Sequence, residues 1–180
     1  MNKDFPKFHS SEHLKHIKEL EKSWHALHGL QKLAQKYGIS DIFQDNGGKI
    51  YQQLIYLNML PLAGREGNDA VSRSGREWEM KSINLETTAS GFSTNHHTNQ
   101  EIINKYRKVP WTFAIYRGIA LEEIWVLTPT QMEPLYRHWE EKLESANHLN
   151  NPKISVSFVR QNGVRVYPYP TNPIDPDTLV

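Results

Sequence analysis

Cysteine is absent from the 180-residue chain, which removes disulfide frameworks, thiol nucleophiles and Cys-ligated zinc or iron–sulfur sites from consideration. Long hydrophobic runs are missing too. No stretch approaches the roughly 18 apolar residues that a spanning helix needs, and residues 1–10 lack the apolar run of a signal peptide. The expectation is a soluble, cytoplasmic protein with no membrane partner. Charge of one sign is not in excess, with 21 Lys and Arg against 20 Asp and Glu, so net charge by itself announces no polyanionic partner. There is no G-x-G-x-x-G, Walker or G-x-S-x-G pattern, so neither a nucleotide cofactor nor a serine-hydrolase elbow is expected. What is present, 38% apolar residues including five Trp, is enough for the core of one domain and excludes disorder as the main state.

Apolar residues first recur at helical spacing: Leu14, Ile17, Leu20, Trp24, Leu27, Leu30, Leu33, Ala34 and Tyr37, with Gly38 as the stop. So long and narrow a stripe either covers the core or pairs with a copy of itself, and the stripe alone leaves both open. A second helix runs through Ile50, Leu54, Leu57 and Met59 to Pro61. A short strand at residues 69–71, a turn at 72–75 and an alternating strand at 76–83 make a hairpin. Residues 84–99 form a polar loop too long for a simple connection, followed by a helix at 100–108 and two apolar strands about Gly118. Thr128, Pro129 and Gln131 open a further helix as a capping box. Beyond it, Ile154, Val156 and Phe158 alternate, and Asn162-Gly163 signals a hairpin into a strand at 164–169. Residues 170–180, rich in proline, are expected to be flexible. The order predicts an α+β domain, a mixed central sheet flanked by helices.

The hairpin carries the chemistry. Residues two apart on a strand share a face, so Glu79 and Lys81 stand side by side, and the turn can bring Asp69 next to them. Two carboxylates held close are costly unless a hard cation lies between them, and Mg²⁺ takes one or two carboxylates plus waters and phosphate oxygens. A neighbouring lysine can orient an attacking water, which is the logic of metal-assisted phosphodiester hydrolysis. An acid-x-Lys triplet occurs about once or twice by chance in such a composition, and the second copy, at Glu140 and Lys142, falls on a helix where positions two apart diverge. On spacing alone, a solvated strand face with a cross-strand ion pair outweighs the catalytic reading. Ser93, Thr94, His96, His97 and Asn99 suit groove contacts but also suit plain surface polarity, and Asn150-Asn151 before Pro152 suits either adenine pairing or a turn.

Longer words add to this: Asp41-Ile-Phe-Gln-Asp-Asn-Gly-Gly-Lys49, Gly64-Arg-Glu-Gly-Asn-Asp-Ala-Val71, Glu79-Met-Lys-Ser-Ile-Asn84, Gly91-Phe-Ser-Thr94, Lys105-Tyr-Arg107, Val109-Pro-Trp111, Phe113-Ala-Ile-Tyr-Arg-Gly-Ile-Ala120 and Asn150-Asn-Pro-Lys-Ile154. In that order and spacing, from about Leu30 to Tyr167, the chain resembles the PvuII-like type II restriction endonucleases of the PD-(D/E)XK nuclease superfamily. The resemblance implies a restriction-endonuclease-like fold in one domain spanning residues 1–180, with a helical dimerisation segment at 1–38 and a catalytic and recognition core at 39–169.

It also implies a homodimer acting on double-stranded DNA with Mg²⁺ as cofactor, cutting the palindrome 5′-CAGCTG-3′ bluntly. Asp69, Glu79 and Lys81 match the catalytic triad, with Asp69, Glu79 and the Met80 carbonyl as metal ligands. Asp45, Ser93, His96, His97, Tyr106, Asn150 and Asn151 match residues at the DNA, and Glu66 lies beside the catalytic set. Two departures stand out: Asn95 replaces the first of three consecutive histidines, and one extra residue separates Lys81 from Gly91. The alternatives are a structure-specific DNA nuclease on the same fold and a non-catalytic module that binds a palindrome.

Overall fold

The structure is a computed structural model that describes residues 6–35, 41, 43, 47–62, 68–94 and 96–180. Helix α1 (Ser11–Gln35) starts where the Ser10 hydroxyl accepts from the His13 N–H at 3.3 Å, satisfying one donor of the first turn. The first half of its stripe faces the core: Ile17, Leu20 and Trp24 are buried and Leu14 and Leu27 are partly so, whereas Leu30 stays 53% exposed. Tyr37 and Gly38, the expected stop, lie outside the described residues. Helix α2 (Gly47–Leu57) ends at Asn58, whose positive φ of 54° turns the chain while its side-chain amide donates to the Pro6 carbonyl.

Six strands follow in a mixed sheet ordered β1-β2-β3-β4-β5-β6: β1 (Leu60–Pro61), β2 (Ala70–Val71), β3 (Glu77–Asn84), β4 (Trp111–Arg117), β5 (Ala120–Leu127) and β6 (Val164–Tyr167). Only β3 and β4 run parallel; the other neighbours are antiparallel. The expected α+β class with a mixed sheet is what forms. Pro61, expected to stop a helix, instead belongs to the edge strand β1, a position where the missing N–H costs no ladder bond.

Helix α3 (Gln100–Tyr106) lies in the β3-to-β4 crossover, and α4 (Pro129–Leu143) opens with the predicted capping box at Thr128 and Gln131. Each sheet face has its own apolar cluster. Trp78, Met80, Ala114 and Tyr116 pack against α1 and α2 on one side, and Ile83, Trp111, Phe113 and Ile115 pack against α3 and α4 on the other.

Two expectations fail. The alternation at Ile154, Val156 and Phe158 is not a strand: residues 156–162 form helix α5 (Val156–Asn162), capped by the Ser155 hydroxyl accepting from the Phe158 N–H at 3.1 Å. A serine three residues before an amide it can cap outweighs a three-step alternation. Asn162-Gly163 is accordingly a helix end and not a hairpin turn, and Gly163 is required there because a Cβ would sit 2.8 Å from the Val159 carbonyl oxygen. The segment 170–180 is also not loose. Ile174 and Leu179 pack on the α1/α2 cluster, Pro176 is buried in a 3₁₀ turn (Pro176–Leu179) capped by Asp175, and the Asp177 carbonyl accepts from Arg76 at 3.1 Å. Three prolines in seven residues lower the entropy lost on ordering, and the apolar residues between them supply the contact.

Candidate active site and nucleic-acid interface

The β2–β3 hairpin turns at residues 72–75, where Gly75 adopts a φ of +89° and its N–H donates to the Ser72 carbonyl at 3.0 Å. Val71 pairs with Glu77 and Ala70 with Trp78, which leaves Asp69 at the end of the ladder, close enough to Glu79 for its charge to act on it. The ladder is then diverted. The Asp69 N–H donates to the Trp78 carbonyl at 3.0 Å, and the Met80 N–H donates to Asp69 Oδ2 at 2.8 Å, so β3 backbone pins the carboxylate. On the same strand face, Lys81 Nζ donates to Glu79 Oε1 at 2.5 Å. Asp69, Glu79 and Lys81 are thus in one place, with the Met80 peptide between them.

Glu79 is only 6% exposed, and it is the unusual group of the set. Burial pushes its carboxyl above the ordinary glutamate range, the Lys81 ammonium pulls it down, and the Asp69 charge pushes it up again. Burial wins. A buried carboxylate beside a second carboxylate, with one ammonium to offset them, is still in want of positive charge. No group of three or more His, Asp or Glu residues forms a metal site among the described residues. Two carboxylates and a backbone carbonyl nevertheless fit a small hard cation that keeps waters and takes phosphate oxygens for its remaining positions.

The second assembly joins two distant loops. Phe92 and Ile154 exchange backbone hydrogen bonds at 2.8 and 3.0 Å, and Thr98 and Leu149 do so at 3.0 and 2.7 Å. Residues 93, 94, 96 and 97 on one side and 150–153 on the other are therefore the two edges of one irregular ribbon. Gly91 permits the approach, because a Cβ there would meet the Ile154 carbonyl oxygen at 2.6 Å. Across the ribbon the Thr94 N–H donates to Asn151 Oδ1 at 2.9 Å, His96 Nδ1 lies 3.4 Å from Asn150 Oδ1, and Lys153 Nζ donates to Ser93 Oγ at 2.7 Å.

Five sequence-predicted residues, Ser93, His96, His97, Asn150 and Asn151, are thereby brought together. All are exposed except Asn151, which is half-buried with a φ of +50°. Buried Phe92 anchors the ribbon by meeting Phe113 of β4 edge-on at 5.0 Å.

Other predicted residues are placed differently. Tyr106, at the end of α3, is 8% exposed and packs edge-on against Trp111, the strand partner of Glu79, at 4.6 Å. Asp45, Glu66 and Asn95 lie outside the described residues. Asn99, read as a groove contact, caps α3 by accepting from the Ile102 N–H at 3.0 Å, and the Thr94 hydroxyl donates to the Pro152 carbonyl at 2.7 Å. Thr94 is thus used in building the ribbon and Asn99 in starting α3. Arg107 is engaged by Glu133 and Glu140 of α4, and that contact holds the Glu140 carboxyl down to about 2.

Sequence reasoning missed Lys153 as the partner of Ser93, and His148, whose ring lies 4.9 Å from that of His97. It also passed over Trp111, whose ring lies 5.6 Å from Lys81 Nζ. The capping preference of Asn before a helix could have flagged Asn99; no local signal marks the other three.

A family model described as restriction endonuclease PvuII matches residues 15–167 of the chain, a span that includes the hairpin, both edges of the ribbon and the whole sheet.

Proposed function

As a member of the PvuII restriction endonuclease family, the chain is a type II site-specific deoxyribonuclease, and we propose that it cuts the palindrome 5′-CAGCTG-3′ bluntly, as a homodimer, with Mg²⁺. The observation that carries the catalytic part is the convergence of Asp69, held by the Met80 N–H, on the Glu79–Lys81 pair of the same strand. Asp69, Glu79 and the Met80 carbonyl would hold the cation. When bound, the ion supplies a Lewis acid that offsets charge on the phosphoryl group being transferred.

The chain's own groups do the rest. Burial of Glu79 keeps bulk water from its carboxylate, and Lys81, whose ammonium lies next to the pair, donates to the water that attacks phosphorus. That water gives up a proton to solvent as its oxygen bonds to phosphorus, the bond from phosphorus to one flanking sugar oxygen breaks, and the leaving oxygen takes a proton from solvent. The Met80 N–H keeps Asp69 from rotating away.

Base reading falls to Ser93, His96, His97, Asn150 and Asn151, supported by their convergence on one largely exposed ribbon. Asp45, Glu66 and Tyr106 come to the site through the family resemblance, and for Tyr106 its packing against Trp111 supports a place in the catalytic region. The dimer reading is supported by exposed Leu30 at the far end of α1, beyond the part that covers the core. A two-fold dimer matches a two-fold site.

The test is incubation of purified protein with plasmid DNA of known sequence, with Mg²⁺ or with EDTA, followed by sequencing of the fragment ends. Blunt, Mg²⁺-dependent cuts at CAGCTG alone are expected. Cleavage confined to branched DNA, or binding of one palindrome without any cutting, would overturn the proposal.

A further inference from the structure

Among the described residues, two groups lie against the Lys81 ammonium, and they are not equivalent. One is the Glu79 carboxylate, which takes a donor of the ammonium at 2.5 Å. The other is the face of Trp111, whose ring centroid lies 5.6 Å from Nζ. Parallel pairing of Glu79 with Trp111 and of Lys81 with Phe113 puts the indole on the face of the sheet from which both charged groups project. The indole is fully buried and fixed on two sides. Tyr106 meets it edge-on at 4.6 Å, and Phe113 stacks on it at 5.7 Å with planes 18° apart. Such a ring cannot follow the lysine; the lysine must follow the ring.

We propose that Trp111 is a positioning residue for Lys81, holding the ammonium over the site through its ring face. The inference rests on the reading of Lys81 as the group that orients water. An ammonium paired only to a carboxylate that also serves a cation would be released whenever that carboxylate's oxygens are engaged. A ring face attracts the charge through its quadrupole and leaves the three N–H donors available for water and phosphate. With its side chain 20% exposed, Lys81 is dry enough for that attraction to count and wet enough to meet substrate.

The experiment replaces Trp111 site-specifically with mono-, di- and tetrafluorotryptophan, which drains charge from the ring face while nearly preserving its shape. Plasmid cleavage, DNA binding without divalent metal, and thermal melting are measured on each full-length protein. Expected is a stepwise fall in kcat reaching about tenfold for the tetrafluoro ring, with KM, DNA binding and Tm unchanged.

A second measurement needs no activity. In the metal-free protein, NMR of the Lys81 ε-methylene should show an upfield ring-current shift that Trp111→Leu abolishes and that Trp111→Phe partly keeps. A flat fluorination series, or Lys81 resonances at ordinary positions, would overturn the inference. Lys81→Ala serves as the control that separates two failures. If it cuts at the wild-type rate, the reading of Lys81 falls and takes this inference with it. If it abolishes cleavage while the fluorinated series stays flat, Trp111 alone is misassigned.

Discussion

The cutting hairpin and the reading ribbon are both pairs of extended segments closed by backbone hydrogen bonds, yet they use their side chains in opposite ways. In the hairpin, side chains are turned inward and held by one another: Asp69 by a backbone amide, Glu79 by burial, Lys81 by Glu79 and Trp111. In the ribbon, backbone bridges at Phe92 and Ile154 and at Thr98 and Leu149 set the frame, and the polar side chains between them bond across it, Asn151 to the Thr94 N–H and Lys153 to Ser93, while remaining largely exposed instead of buried. Reaction geometry tolerates little displacement, so its groups are fixed individually. A recognition surface must meet a partner, so its side chains are held in place on a backbone frame but left open to solvent.

The comparison can be broken most sharply at Lys81. Lys81→Ala should lower kcat by about a thousandfold or more while leaving binding to cognate DNA intact, as read by plasmid cleavage and by gel shift without metal. The ribbon answers in the opposite sense: Asn150→Ala should keep the chemistry but reduce discrimination against sites altered at one base pair by about 1–3 kcal/mol, measured as a ratio of cleavage rates. An unchanged preference would remove Asn150 from base reading.

Gly91→Ala attacks the frame instead of a reader. The new Cβ meets the Ile154 carbonyl oxygen, so about 1–3 kcal/mol of stability and most specific binding should be lost, while Glu79 and Lys81 stay paired.

A subtler probe is pH. Because burial raises the Glu79 carboxyl, the folded metal-free protein holds that proton more tightly than the unfolded chain does. Its contribution is therefore full at low pH and is lost as pH rises from the ordinary value of 4.5. Relative to Glu79→Gln, wild-type Tm should fall with rising pH, and Mg²⁺ should restore it. Glu140, held down to about 2 by Arg107, works in reverse and loses its stabilising effect only as pH falls below the ordinary carboxylate range. The smallest effect is expected from Asp177→Asn, which weakens a partly exposed pair with Arg76 3.8 Å away and should cost under about 1 kcal/mol by thermal melting.

How far these features are legible in the sequence follows from the range of the forces behind them. Strand β3 is legible because alternation is a local signal, and α4 because Thr128, Pro129 and Gln131 announce its start within four residues. Asp69 beside Glu79 follows from the same period plus one turn. Helix α5 is not legible from alternation, since Val156 and Phe158 satisfy a two-residue period by coincidence while the cap at Ser155 decides. The ribbon is out of reach of local reasoning: Asn151 finds Thr94 across 57 residues, and nothing in either segment names the other. The packing of residues 170–180 is hidden for the same reason, its prolines having been read as looseness when they pre-order a strap.

That strap reaches the turn of the cutting hairpin. The Ser74 N–H and the Arg76 guanidinium find Asp177 across 103 and 101 residues, whereas the turn itself closes within four. Contacts of such different span form on different schedules, because a short loop closes before a long one can. The hairpin closes from its own residues, but its tie to Asp177 requires residues 101 and 103 apart to meet, so the neighbourhood of the carboxylates is braced by a segment that no truncation short of residue 177 would leave in place.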